Sequence, residues 1–185
     1  MTAHLAPDLH SILAERKGTS VLLLKRSRLG KQNHSRAKTT DAKCQTSSLN
    51  PEVLTSTRMI AFVNRKSWWH VLPRDANAYR KRGKFLASSF KDAEFWGRPL
   101  DEPERVAIVR PLIGDEGKIE CMLFGRKASH EDFSLDQRWR LDAKMRRAAL
   151  SRGYDSIVLM SPSAFARWNS TGQLPRDLEL NVLQP

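Results

Sequence analysis

The sequence predicts an α+β domain with a small mixed or antiparallel sheet and few helices, preceded by a basic segment. Two observations favour this class. Short apolar runs recur through the last two-thirds of the 185-residue chain, and only one stretch shows a clear helical period. All the aromatic residues, five Trp, seven Phe and two Tyr, follow position 60. The strands and helices do not alternate regularly, so a doubly wound parallel fold is not expected.

The first 57 residues contain no aromatic side chain and include a long basic, polar run over residues 25–43. Large apolar side chains are needed to offset the conformational entropy lost on folding. We therefore predict that residues 1–57 are largely disordered and that the domain spans residues 58–185. The segment is equally compatible with a nucleic-acid-binding arm and with a leader of no specific role.

Seven short runs are predicted to be strands, because each is rich in aliphatic or aromatic residues and is bounded by polar, Gly or Pro residues. In chain order they are Met59–Val63, Ser67–Leu72, Phe85–Ser89, Arg105–Ile113, Lys118–Phe124, Tyr154–Met160 and Leu178–Leu183. The Gly and acidic residues over 114–117 predict a hairpin turn between two of these strands. Short helical segments or turns are predicted over Asp75–Lys81, Lys91–Trp96 and Pro162–Trp168.

One longer helix is predicted after Ser134. Ser134 and Gln137 have the spacing of a capping box. The residues that follow repeat at close to 3.6 positions and give the helix one apolar face: Leu135, Trp139, Leu141, Met145, Ala148 and Ala149. Gly153 supplies the signal that ends it.

The charge balance favours a polyanionic partner. The chain has 32 Lys and Arg against 20 Asp and Glu, a formal net charge of +12, which suits nucleic acid, an acidic protein surface or a phosphate-bearing ligand. No apolar run approaches the roughly 18 residues of a membrane span, so we expect a cytoplasmic protein without membrane contact. The two Cys residues show no paired metal-ligand spacing, and no metal site is predicted.

Four polar residues stand out because they interrupt apolar strands. His70 lies near the end of one run, Ser88 and Ser89 close another, and Glu179 lies inside the last. Each has an ordinary structural explanation: a histidine at the edge of the core, a serine that caps a helix, and a glutamate that faces water. Together, on separate strands, they predict residues that converge on one cleft.

The order of these motifs resembles that of ADP-ribosyltransferase-like domains, over about Trp68 to Pro185. Residues 153–158, Gly-Tyr-Asp-Ser-Ile-Val, are similar to a GYDGIV-type strand of that family, and residues 178–185 to the strand that presents its catalytic glutamate. Residues 69–72 resemble the first strand, whose His contacts NAD. Residues 83–89 followed by 92–97 resemble the second motif, in which a serine leads into a helix.

The resemblance implies a small core of two mixed or antiparallel sheets with few helices, and a site for NAD as co-substrate. It also assigns a role to each candidate. Glu179 would stabilise positive charge on the ribose as the nicotinamide leaves, with Ser88 or Ser89 steadying Glu179 or the nicotinamide-ribose region. His70 would bind the adenosine-side ribose, Tyr79 or Phe85 would form an aromatic wall, and Arg74, with Arg80 and Arg82, would neutralise the pyrophosphate. Asp177 stands where many arginine-modifying members place Glu or Gln, so the acceptor stays open.

The resemblance therefore implies a mono-ADP-ribosyltransferase of effector or toxin type, which transfers ADP-ribose from NAD to a protein or nucleic acid. Two alternatives stay open. One is a related enzyme on the same fold, an NAD glycohydrolase or an RNA 2′-phosphotransferase-like protein. The other is a non-catalytic, basic nucleic-acid-binding protein, which the net charge favours.

Overall fold

The computed structural model of the chain describes residues 52–75, 77–130 and 132–185. Its strands form one mixed five-stranded sheet: β1 (Trp69–His70), β2 (Lys84–Ala87), β3 (Pro111–Gly114), β4 (Ser156–Leu159) and β5 (Glu179–Val182). The spatial order is β1-β2-β5-β4-β3. Strands β3 and β4 are parallel, and the other neighbours are antiparallel. The last strand in the chain, β5, therefore lies at the centre of the sheet.

Helices cover both faces of the sheet. They are α1 (Glu52–Arg65), α2 (Ala78–Arg82), α3 (Phe90–Glu94), α4 (Glu116–Phe124), α5 (Leu135–Ser151) and α6 (Pro162–Thr171). Helices α1 and α6 pack on one face, through Met59, Val63, Ala164 and Trp168 against Leu86, Val158 and Leu180. Helices α4 and α5 pack on the other, through Ile119, Leu123, Leu141 and Met145 against Ile157 and Leu159. Burial of such side chains contributes roughly 1.5–3 kcal/mol each.

The predicted strand over Met59–Val63 is wrong, because this run belongs to α1. Met59 and Val63 are fully buried, whereas Ala61 between them is exposed. A strand would turn all three side chains to the same face, so the burial follows the helical period and not the period of two. Helix α1 begins at Glu52 and crosses the predicted boundary at residue 57. The rest of that predicted disordered segment, residues 1–51, lies outside the described residues.

The predicted strand over Lys118–Phe124 and the hairpin turn before it are also wrong, because these residues form α4. The Asp115 side chain caps the helix by accepting from the Lys118 backbone N–H. Gly125 ends it in the left-handed conformation, with φ of 72°. The acidic and glycine residues that suggested a turn are the start of a helix.

The predicted strand over Arg105–Ile113 shortens to its last residues, Pro111–Gly114. Side chains take the place of a neighbouring strand before Pro111. Asn64 makes two bonds to the Ile108 backbone, at 2.8 and 3.0 Å. Asp155 Oδ2 accepts from the Val109 and Arg110 N–H groups at 2.6 and 2.9 Å. The N–H groups of residues 108–110 and the Ile108 carbonyl are thereby satisfied without a sheet ladder.

The α+β class is confirmed, and so are α5, with both halves of its capping box, and strands at β1, β2, β4 and β5. The structure corrects two parts of the predicted architecture. The described strands form one sheet and not two, and helices are more numerous than predicted, because two predicted strands are helical. In the described part of the chain, no helix has the length and apolar character needed to cross a membrane.

Candidate functional site

His70 lies in β1 and bonds to two neighbouring residues of the protein. Its Nδ1–H donates to the Phe85 carbonyl oxygen at 2.8 Å, since a carbonyl can only accept. The neutral ring then accepts at Nε2 from the Tyr79 hydroxyl at 2.5 Å. Burial lowers the pKa of His70 below its ordinary value, which favours this neutral form. The structure thus brings together His70, Tyr79 and Phe85, and the bonds among them occupy both imidazole nitrogens.

The two serines after β2 have different roles. Ser88 Oγ accepts from the Leu178 N–H at 2.9 Å, and the Ser88 N–H donates to the Leu178 carbonyl at 3.0 Å. Ser88 therefore holds the residue directly before Glu179. Ser89 is the N-cap of α3 and accepts from the Asp92 N–H at 3.1 Å. Arg74 lies exposed in the loop after β1.

Glu179 opens β5, on the opposite face of the sheet from His70. Glu179 pairs with Ala87, whereas His70 pairs with Leu86, the next residue of β2. Because side chains alternate along a strand, neighbouring positions point to opposite faces. Leu86 belongs to the core under α1 and α6, so Glu179 faces α5. The structure does not bring His70 and Glu179 into one cleft.

The Glu179 carboxyl is held where ionisation is unfavourable. Burial raises its pKa from 4.5 to about 7; the charge of Arg138 opposes the rise, and those of Asp142 and Asp92 add to it. The residue nevertheless keeps partial exposure at the start of its strand. A carboxyl that changes protonation near neutral pH, at an accessible strand end, is typical of a functional site.

Glu179, Asp142 and Asp92 form what we call the acidic cluster. Asp142 and Asp92 are buried, on α5 and α3 respectively. Burial raises the pKa of Asp142, against the opposing charges of Arg138 and Arg82. Arg138 pairs with Asp142 at 3.2 Å and also with Glu116 at the start of α4. One guanidinium is thus shared among several carboxylates, and the surroundings of Glu179 stay electronegative.

Sequence reasoning missed Asp92, Asp142 and Arg138, although α5 carried a signal. Arg138 lies two turns and Asp142 one turn before the buried Met145, in the same helical row. A charged pair on the buried row of an amphipathic helix indicates a polar site under that helix. Asp92 gave no comparable signal, because its position in the first turn of α3 is ordinary for an aspartate.

A second feature, which we call the basic cleft, opens between α2 and α5 with a volume of about 450 Å³. It is lined by Trp139, Ala143 and six cationic side chains, Arg80, Lys81, Arg82, Arg140, Arg146 and Arg147. The Arg82 guanidinium lies over the Trp139 ring, 4.7 Å from its centroid. The Arg82 charge also opposes the rise in the pKa of Asp142, so the basic cleft adjoins the acidic cluster.

Within the described residues, no three His, Cys, Asp or Glu side chains are placed to hold a metal ion. Comparison with protein-family models, with curated proteins and with solved structures found no match to this chain. The acidic cluster and the basic cleft are therefore the two features of the chain that indicate a function.

Proposed function

We propose that this chain is an NAD-dependent mono-ADP-ribosyltransferase in which Glu179 acts at the nicotinamide ribose. The observation that carries the proposal is Glu179, a partly exposed residue at the start of the central strand, whose carboxyl has its pKa raised by burial to about 7. Three of the four stretches that carry the resemblance, those that contain His70, Ser88 and Glu179, lie at the adjacent strands β1, β2 and β5. Their adjacency supports the proposal.

The electrostatics of the acidic cluster suit this reaction. When the nicotinamide–ribose bond breaks, its electron pair leaves with the nicotinamide, and positive charge develops on the ribose. A raised carboxyl pKa means that negative charge at Glu179 lacks compensation. A cationic ribose would supply that compensation in the transition state, where the interaction accelerates the reaction.

Other side chains support this centre without joining the chemistry. Ser88 is a positioning residue, because it holds the backbone of Leu178 next to Glu179. His70 stabilises the β1–β2 edge through Tyr79 and Phe85, and in this proposal it does not contact NAD. Arg82, next to the acidic cluster, is better placed than the exposed Arg74 to meet the pyrophosphate.

The two related activities make different demands on this geometry. An NAD glycohydrolase would break the same bond with water as the acceptor, and its product is free ADP-ribose. An RNA 2′-phosphotransferase would require converging Arg and His side chains. His70, on the face away from Glu179, has both ring nitrogens engaged, which gives that activity less support.

The test is nicotinamide release from NAD by the pure protein and by Glu179→Gln. We expect Gln, which cannot supply negative charge, to lower the rate by roughly 100-fold or more. Glu102→Gln is the matched control, because Glu102 is exposed and is not among the charges that shift the pKa of Glu179 or Asp142; it should leave the rate unchanged. Labelled NAD, incubated with protein and nucleic-acid fractions, then separates transfer from hydrolysis.

Two results would overturn the proposal. The first is nicotinamide release that is equal in the parent protein and in Glu179→Gln. The second is no release and no labelled acceptor in any fraction, together with no binding of NAD by calorimetry.

A further inference from the structure

We propose that the basic cleft binds single-stranded nucleic acid, with phosphates against its arginines and an unpaired base against Trp139. This inference does not depend on NAD chemistry. Arg82 is the one cleft residue that the proposed function also uses, and the variants below leave it unchanged.

The charge of the cleft indicates a polyanion. Its lining contains six cationic side chains and no acidic one. Arg80, Arg140 and Arg147 are exposed, and none of the hydrogen bonds or ion pairs found among the described residues engages their guanidinium groups. A small anion such as a pyrophosphate would neutralise only part of this charge, whereas a nucleic-acid backbone offers one phosphate after another.

The shape of the charged surface also favours a strand. Arg140, Ala143 and Arg147 succeed each other at helical spacing along α5, and α2 supplies cations across the cleft. Arg140 and Arg147 are two turns apart, which spans about 10.5 Å along the helix axis. A row of positive charges of this kind suits the successive phosphates of a nucleic-acid backbone better than a single phosphate group.

Trp139 is the reason to expect a single strand. Its side chain is 42% exposed although it lies beside five arginines, and Arg82 covers part of its ring. An exposed indole beside cations is a stacking platform for an unpaired base. In a duplex, the faces of each base are covered by neighbouring bases, so the same ring would find no stacking partner.

Two other cationic side chains of the cleft bond to the protein itself and help to define the shape of the cleft. Arg146 Nε donates to the Leu183 carbonyl at 2.8 Å, and Lys81 pairs with Asp75 at 3.0 Å. These contacts fix the two sides of the cleft, so that exposed arginines remain for a ligand. Arg140, Arg147 and Trp139 are therefore the residues to change.

The experiment measures fluorescence anisotropy of a labelled single-stranded DNA of about 12 nucleotides with the full chain over a salt series, beside a duplex of the same sequence. We expect Trp139→Ala to weaken single-strand binding roughly tenfold and to change duplex binding little. Trp96→Ala is the control, since Trp96 is 48% exposed and does not line the cleft.

A second pair of variants tests the phosphate contacts at equal net charge. Arg140→Gln with Arg147→Gln should weaken binding at least tenfold and lower the slope of log affinity against log salt by about two. Arg105→Gln with Arg126→Gln removes two exposed arginines that do not line the cleft, and binding should fall less than threefold, as expected for bulk charge alone. Circular dichroism checks that each variant is folded.

Any of three results would overturn the inference: duplex bound as tightly as the single strand, Trp139→Ala equal to Trp96→Ala, or both arginine pairs losing the same affinity. The last would locate binding elsewhere in this basic chain. Nicotinamide release separates this inference from the proposed function. Trp139→Ala should keep it, and Glu179→Gln should keep nucleic-acid binding.

Discussion

His70 and Glu179 are ionisable residues of the same sheet with opposite surroundings. His70 is 4% exposed, and both its ring nitrogens have protein partners at 2.5 and 2.8 Å. Glu179, two strands away on the other face, shares the charge of Arg138 with Asp142, and Asp92 adds further negative charge nearby. Burial disfavours the charged form in both. His70 stays neutral and satisfied, whereas Glu179 must ionise at an unfavourable position near neutral pH.

The difference shows which polar residue of an apolar strand is a candidate for function. A buried group whose hydrogen bonds are complete contributes to stability. A buried carboxyl whose charge is poorly compensated lowers the stability of the folded state. Such destabilising groups are found mainly at functional sites, where the charge takes part in binding or catalysis. By this criterion Glu179 is the functional candidate of the pair, and we expect His70 to be a structural residue.

The sharpest test of the comparison is the stability of Glu179→Gln as pH changes. The Glu179 pKa is raised on folding, so this group favours the folded state at low pH, and its contribution is lost as pH rises from 4.5 to about 7. Gln does not ionise. At about pH 8 the variant should be more stable than the parent protein by roughly 3 kcal/mol, and at about pH 4 the two should be equal.

Urea unfolding at both pH values measures this difference. Glu102→Gln, at an exposed position, is the control and should change stability by less than about 0.5 kcal/mol. A Glu179→Gln variant that is less stable than the parent at high pH would mean that the ionised carboxylate is well compensated, and the contrast with His70 would fail.

The sequence predicted the secondary-structure elements around His70 and Glu179 better than the spatial relation between these two residues. The capping box at Ser134 identified α5, and the terminal apolar run identified β5. Whether His70 and Glu179 share a face depends on the pairing of β1 with β2, and a shift of one residue would reverse it. That register is set by tertiary contacts, which no local pattern records.

The errors had a common physical cause. Met59–Val63 and Lys118–Phe124 are short apolar runs, for which strand and helix periods are hard to distinguish. In α4 the decisive signals were the N-cap at Asp115 and the C-cap at Gly125. The acidic and glycine residues at the start of this helix are also typical of a hairpin turn, and they were interpreted as one. The acidic cluster was missed because α3, α5 and β5 meet only in the folded chain.

Tyr79→Phe tests the His70 side of the comparison. Removal of the hydroxyl leaves His70 Nε2 buried without its partner, so the variant should lose about 1–2 kcal/mol of stability. Nicotinamide release should not change, because Tyr79 bonds to His70 and lies away from Glu179. Tyr154→Phe is the control: Tyr154 is partly buried, and no hydrogen bond of its hydroxyl is found among the described residues.

If Tyr79→Phe loses stability while its KM for NAD is unchanged, the structural role of His70 and Tyr79 is supported. A rise in KM without loss of stability would instead make Tyr79 an NAD-binding residue, as the sequence resemblance implied. Thermal unfolding and initial rates on the same samples separate these two outcomes.

The smallest effects are expected for the adjacent residues Ser88 and Ser89. We expect Ser89 to have a structural role and Ser88 to position Glu179. Ser89→Ala removes the cap of α3 and should cost about 1 kcal/mol of stability, with a smaller change in nicotinamide release than Ser88→Ala causes. Ser88→Ala removes the acceptor of the Leu178 N–H and should cost a similar amount. It should also lower kcat several-fold at constant KM, because β5 then presents Glu179 less rigidly. Equal kcat in the two variants would show that Ser88 does not position Glu179, and the functional side of the comparison would rest on the acidic cluster alone.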